Sequence, residues 1–162
     1  YIKREQEIHL DINKNFVSHE LYVTYQNIAD QSVGKAGVYK SYSRLLLPKS
    51  AKISGIRIYD TNGNFEDVKY DEQEIDDRRE IGFLINILPS DLKKVQLVWR
   101  IDTDILANGG EYNLLVKKQA GTDNDGLLVK INKTDLTLTG RALSVYTTTL
   151  ERDFSTKLFF KP

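Results

Sequence analysis

The chain has 162 residues, 23 basic and 23 acidic side chains, no Cys, no Met, three Pro and ten Gly. That length fits a single domain able to bury roughly 68–70% of its unfolded surface without staples. The balanced charge excludes a general nucleic-acid or anionic-membrane binder, and the lack of Cys excludes disulfides, thiolate metal sites and thiol nucleophiles.

Fourteen Ile, ten Val and eleven Thr against six Ala favour pleated, half-buried strands over helices. From Gln6, the apolar residues Ile8, Leu10 and Ile12 alternate with Glu7, His9 and Asp11. After Asn13-Lys14-Asn15, Val17, Leu21, Val23 and Tyr25 point inward, and Ser18, Glu20, Tyr22 and Thr24 outward. Pairing Ile12 with Val17, Ile8 with Leu21 and Gln6 with Val23 keeps both apolar sets on one face, so residues 4–27 read as an antiparallel hairpin.

Tyr39–Leu47 follows, ended by Pro48-Lys49-Ser50. Ile53–Tyr59 then pairs with Phe65–Glu72 around Asn62-Gly63, two residues that tolerate positive φ. Glu80–Leu88 turns Ile81, Phe83, Ile85 and Ile87 inward and stops at Pro89. Ser90–Lys94 is expected as a single helical turn capped by Ser90. Val95, Leu97, Trp99 and Ile101 share an inner face; Asn108-Gly109-Gly110 then turns into Tyr112, Leu114 and Val116. Leu127–Asn132, Leu136–Thr139, Leu143–Thr149 and Lys157–Phe160 complete the set. The expected fold is all-β: an antiparallel β-sandwich, immunoglobulin-like or related, of about 9–11 short strands with little helix. Residues 1–162 form one domain. No apolar run approaches the ~18 residues of a spanning helix, so this segment does not insert into a membrane directly. It begins at Tyr1 without an initiator Met, as expected of a segment excised from a longer protein.

Few residues carry chemistry. His9 lies on the polar side of its strand while His19 shares parity with Leu21 and Val23, so the two histidines point to opposite faces and hold no common metal. His9 is expected at the surface and His19 at a strand end. Asp60, Asn62 and Asn64, with Asp71 in twelfth place, echo the spacing of a Ca²⁺ loop. The Gly falls too early, however, and Asp71 replaces the bidentate Glu. A second acidic turn, with Asp123 and Asp125, fits ordinary turn preferences equally well. The nine acids between Asp60 and Glu80 are expected as a solvated edge that discourages strand addition. No Gly-x-Ser-x-Gly elbow, phosphate-cradling loop, His-Glu-x-x-His or Gly-x-Gly-x-x-Gly is present. No catalytic or cofactor-binding residue is therefore assigned, and no enzyme is expected. Among sixteen aromatics, Trp99 falls in the core by parity. Exposed tyrosines, with Tyr22, Tyr42 and Tyr70 as candidates, would form any ligand surface.

Several stretches resemble the C-terminal β-rich region of large, membrane-anchored bacterial proteins that form a family of unknown function. The likeness is carried by Glu5–Asp11 and Glu20–Tyr25, by Tyr39-Lys40-Ser41-Tyr42-Ser43-Arg44 leading to Pro48, and by Ile81-Gly82-Phe83 followed by Leu88-Pro89 and Val95–Trp99. It continues in Tyr112-Asn113-Leu114 and in Lys118-Gln119-Ala120-Gly121-Thr122, where Ala120 replaces a common Pro, and it ends near Asn132. The resemblance implies a location outside the cytoplasmic membrane, tethered through a transmembrane helix elsewhere in the parent. It supplies no catalytic residues. Arg44 is expected to pair with an acid on an adjacent strand, and Gly82 to permit close packing or a bulge. The expected role is a non-catalytic structural or protein-interaction module of the cell envelope, without cofactors. A module binding cell-wall glycan through exposed tyrosines is the alternative. Partner identity, strand order and oligomeric state stay open.

Overall fold

The computed structural model describes residues 2–32, 37–104, 109–119, 125–139 and 144–161. They form thirteen strands in three sheets. A seven-stranded sheet runs in the order β12 (Val145–Thr149), β10 (Gly126–Lys133), β1 (Ile2–Ile12), β2 (Phe16–Asn27), β8 (Leu92–Asp102), β4 (Lys52–Tyr59) and β5 (Phe65–Asp67). Two three-stranded sheets accompany it: β3 (Tyr39–Pro48), β7 (Arg78–Ile87) and β6 (Asp71–Ile75) in one, β11 (Thr137–Thr139), β13 (Phe154–Lys161) and β9 (Gly110–Val116) in the other. Every pairing is antiparallel except β1 with β10. The inner faces meet in one core, in which Leu10 and Leu97 of the large sheet share a cluster with Ile85 of β7 and Leu158 of β13. The all-β sandwich expected from composition and period is the architecture found.

The opening hairpin has the expected register, with Ile12 opposite Val17, Ile8 opposite Leu21 and Gln6 opposite Val23. Burial of β2 alternates from Phe16 to Tyr25, as a strand with one face on a core requires. Three expectations need correction. Phe65–Glu72 is not one strand paired with Ile53–Tyr59: only Phe65–Asp67 pairs with β4, and Asp71–Ile75 crosses to another sheet and pairs with β7. Its acids thus line the free edges of two sheets. Second, Ser90–Lys94 is not helical. Leu88 to Asp91 make a tight turn closed by the Asp91 amide on the Leu88 carbonyl at 3.1 Å, Ser90 has φ 62°, and β8 begins at Leu92. Pro89 pre-sets the turn, and burial of the strand outweighs the cap. Third, the described residues form thirteen strands, more than the 9–11 expected. In addition, β4 contains a bulge between Ile53 and Gly55. Ile53 and Ile56 have opposite parity in sequence, and the extra residue, Ser54, lets both pack inward opposite Trp99 and Leu97.

Candidate functional site

Three groupings of side chains are candidates, two on outer faces and one in the core. On the outer face of the seven-stranded sheet, Lys130 Nζ donates to Glu7 Oε1 at 2.6 Å, and His9 Nε2 lies 2.7 Å from the same oxygen. The hydrogen bonds from Lys130 and then His9 hold the Glu7 carboxyl below its ordinary range. Gln96 Nε2 donates to Glu20 Oε1 at 2.5 Å and to Tyr22 Oη at 3.1 Å, and Tyr59 Oη donates to Gln96 Oε1 at 2.8 Å. Lys94 Nζ sits 4.1 Å from the centre of the Tyr22 ring. Burial, then Glu20, pushes the Tyr22 hydroxyl up to about 12. This belt joins five strands, β10, β1, β2, β8 and β4, through side chains that satisfy one another. Tyr22 faces outward as expected, but an ammonium occupies the ring face that a sugar would need.

The outer face of the β3–β7–β6 sheet is different. Tyr42, opposite Leu84, lays its ring across Gly82, and Tyr42 Oη donates to Asp71 Oδ2 at 2.8 Å. A Cβ on Gly82 would lie 2.1 Å from that hydroxyl oxygen and 2.5 Å from the ring carbon bearing it. Gly82 therefore serves close packing, and no bulge is present in the β3–β7 register. Arg44 stands 3.9 Å from Glu80 of β7, the cross-strand acid partner expected for it. Tyr42 is 43% exposed and Leu84, opposite it, 67%; further along stand Leu46, opposite Glu80, at 54%, and Leu88, just past the end of β7, at 59%. Tyr42 and Leu84 thus form an exposed apolar pair on neighbouring strands, and Arg44 separates Tyr42 from Leu46 along the outer row of β3.

Substituting Gly82→Ala should drive the Tyr42 ring off the sheet and break its bond to Asp71. That bond, as the leading cause, raises the Tyr42 pKa, so the pKa should fall back toward the ordinary tyrosine value. Spectrophotometric titration of the variant against Tyr42→Phe checks this; an unchanged titration of Tyr42 would contradict the packing.

In the core, His19 is 2% exposed and stacks on Trp99, with ring centroids 4.6 Å apart and planes 11° off parallel. The pair sits directly across β2 and β8. His19 Nε2 lies 2.5 Å from Tyr112 Oη on β9, so the contact ties the large sheet to a small one. Among the described residues the buried His19 Nδ1 and Trp99 Nε1 find no hydrogen-bond partner. Burial depresses the His19 pKa to about 4, opposed only by the Val17 and Trp99 carbonyls, and burial alone raises that of Tyr112. His19 is thus a core residue in mid-strand and not at a strand end. Its inward parity carried that signal in the sequence. His9 and His19 lie on opposite faces, as expected.

The remaining candidates do not converge. Asp60 Oδ1 accepts the Asn62 and Asn64 amides at 2.8 and 2.9 Å, and Asp60 Oδ2 accepts Asn64 Nδ2 at 3.1 Å. These bonds, the one from the Asn64 side chain first, lower the Asp60 pKa. Asp60 thus closes a turn, Asn62 and Asn64 serve that same turn, and Asp71 binds Tyr42 on a different sheet. Asp125 is buried and accepts from Arg4 Nε at 2.8 Å, clamping the start of β10 to β1. Asp123 lies outside the described residues. Among the described residues no group of three or more His, Asp or Glu could hold a metal. Tyr70 is partly buried and packs against the core. Tyr22 and Tyr42 occupy different sheets, so the three tyrosines make no common platform.

No family model matches the chain, and no curated protein matches it. Among solved structures it is similar to native leukotriene A4 hydrolase from Saccharomyces cerevisiae, with 11% identity and a TM-score of 0.50 over 98% of this chain and 29% of that one. A mutant M1 zinc metallopeptidase from Deinococcus radiodurans, bound to a Tyr-Ser-Ala substrate, aligns at 12% identity and TM-score 0.49 over 99% of this chain and 42% of that one. The chain spans less than half the length of either structure. Identity this low gives the fold alone.

Proposed function

We propose that this chain is a non-catalytic β-sandwich module that binds a protein partner through the outer face of its β3–β7–β6 sheet. The observation that carries the reading is the exposed pair Tyr42 and Leu84 on neighbouring strands, with Leu46 also exposed further along β3, on a sheet whose other face is in the core. The parent protein is a membrane-anchored bacterial envelope protein and this segment lies outside the cytoplasmic membrane; the ordered motifs from Glu5 to Asn132 support that placement. The test is photo-crosslinking in intact cells expressing the full parent, with the photoreactive residue at Leu84 or, as a control, at Lys130 on the other outer face. A discrete protein adduct from Leu84 alone is expected. Adducts of equal yield from both positions, or peptidoglycan as the only adduct, would overturn the reading. External protease should also reach the segment in cells whose outer layers are opened; protection there would refute the location.

A further inference from the structure

The β3–β7–β6 sheet has two free edges, and they are unlike. Edge β6 is five residues long and fully exposed, and carries Asp71, Glu72 and Glu74, already engaged by Tyr42, Arg79 and Lys49. Edge β3 is ten residues long, the longest free edge among the described residues, against seven for β9 and five for β12. It contains no acid, and its outward positions alternate Lys40, Tyr42, Arg44 and Leu46. No described backbone group outside β7 hydrogen-bonds to the run from Tyr39 to Leu47. Among the described residues Lys40 makes no ion pair, and Arg44, 65% exposed at its side chain, reaches Glu80 only at 3.9 Å. A row of unpaired amides and carbonyls is a template for an added strand. Two cations four residues apart filter which strand is admitted: a cationic one is repelled and an acidic one is neutralised.

We propose that the β3 edge receives an extended acidic segment of another polypeptide as an added strand, its carboxylates placed against Lys40 and Arg44. This deepens the protein-binding reading above and rests on it. The register follows from the pleat: carboxylates four residues apart share one face of the incoming strand, and a residue between them meets Tyr42. The probe is the acetylated, amidated peptide valine–glutamate–valine–threonine–valine–glutamate–valine, which antiparallel addition sets with its glutamates opposite Arg44 and Lys40.

Titration into the intact chain, read by amide hydrogen exchange, should slow exchange along Tyr39–Leu47 and leave β5, β6 and β12 unchanged. The peptide with lysine in place of both glutamates should bind about tenfold more weakly, the scale expected for two exposed charge pairs. In the variant K40E/R44E that preference should reverse. Both side chains are exposed, so circular dichroism and denaturation should show the variant folded. Three results would overturn the inference: no protection of β3, protection indifferent to the charge swap, or protection of β3 without peptide that grows with protein concentration, which gives the edge to a second copy. A protein adduct at Leu84 combined with no addition at β3 keeps the protein-binding module and removes this inference alone.

Discussion

Trp99→Ala should lower the unfolding free energy by about 3–5 kcal/mol, a large part of the ~5–15 kcal/mol that holds a domain of this size together. Trp99 is 7% exposed, faces the core from the middle of β8, and lies opposite Ile53 on one side and His19 on the other. Truncation removes the largest side chain of the core and also the ring on which His19 stacks. The β4 bulge exists to bring Ile53 onto this ring, so the cavity would be bordered by strands already fixed in register and slow to collapse. Denaturant unfolding measures the loss. Trp99→Phe keeps a ring and should cost less. A loss below about 1 kcal/mol in the alanine variant would contradict the inner-face position of Trp99.

Acidification should weaken the domain through His19. In the folded chain its pKa lies near 4, below the 6.5 of an unburied histidine, because burial disfavours the charged ring. Between those values the unfolded chain binds a proton that the folded chain does not, so unfolding is favoured as pH falls. The stability tied to His19 is complete above about pH 6.5, declines from there to about pH 4 and is level below. The gap corresponds to about 3 kcal/mol. Among the described residues no charge compensates the proton: the groups facing His19 are Trp99 across β8, Leu10 across β1 and the neutral Tyr112 hydroxyl from β9, while the neighbouring Glu20 points to the other face. Protonation would in addition place a cation in the core with only the Tyr112 hydroxyl and the Val17 and Trp99 carbonyls to receive its protons. His19→Phe retains a ring against Trp99 and should flatten the wild-type slope between pH 6.5 and 4 in a series of denaturation curves. Carboxylates that titrate in the same range are common to both proteins and cancel in the difference. Equal slopes would show that His19 is accessible to water.

Strand period alone carried much of the fold. The opening hairpin register, the inward set on β7, the core position of Trp99 and the opposition of His9 and His19 all follow from one rule. A slip of one residue would expose every apolar side chain of the strand, so only one register is stable. The same rule failed where the chain departs from a regular ribbon. Nothing local in Phe65–Glu72 says that Val68 to Tyr70 cross from one sheet to another, because the crossing depends on which partner strand has a free edge. Ser90–Lys94 reads locally as a capped turn of helix, yet the partners waiting on β2 and β4 claim Leu92–Asp102 as a strand.

The candidate surface divides along the same line. That Tyr22 faces outward was legible from its place between Leu21 and Val23. That Lys94 covers its ring, and that Tyr42 lies in the gap left by Gly82 and reaches Asp71, was not. Those contacts join residues far apart in the chain, and their distances are set by sheet order. Alternation and composition act within a strand, so the strand-rich class, the side chains that point together along each strand and the gathering of acids between Asp60 and Glu80 were legible from residue order alone. The neighbours each strand acquires put Glu66 and Asp67 on one sheet edge and Asp71, Glu72 and Glu74 on another, left β3 a long basic edge among the described residues, and set His19 in the core beside Tyr112. Those outcomes depend on which strands become neighbours, and that is settled by the burial of all thirteen at once.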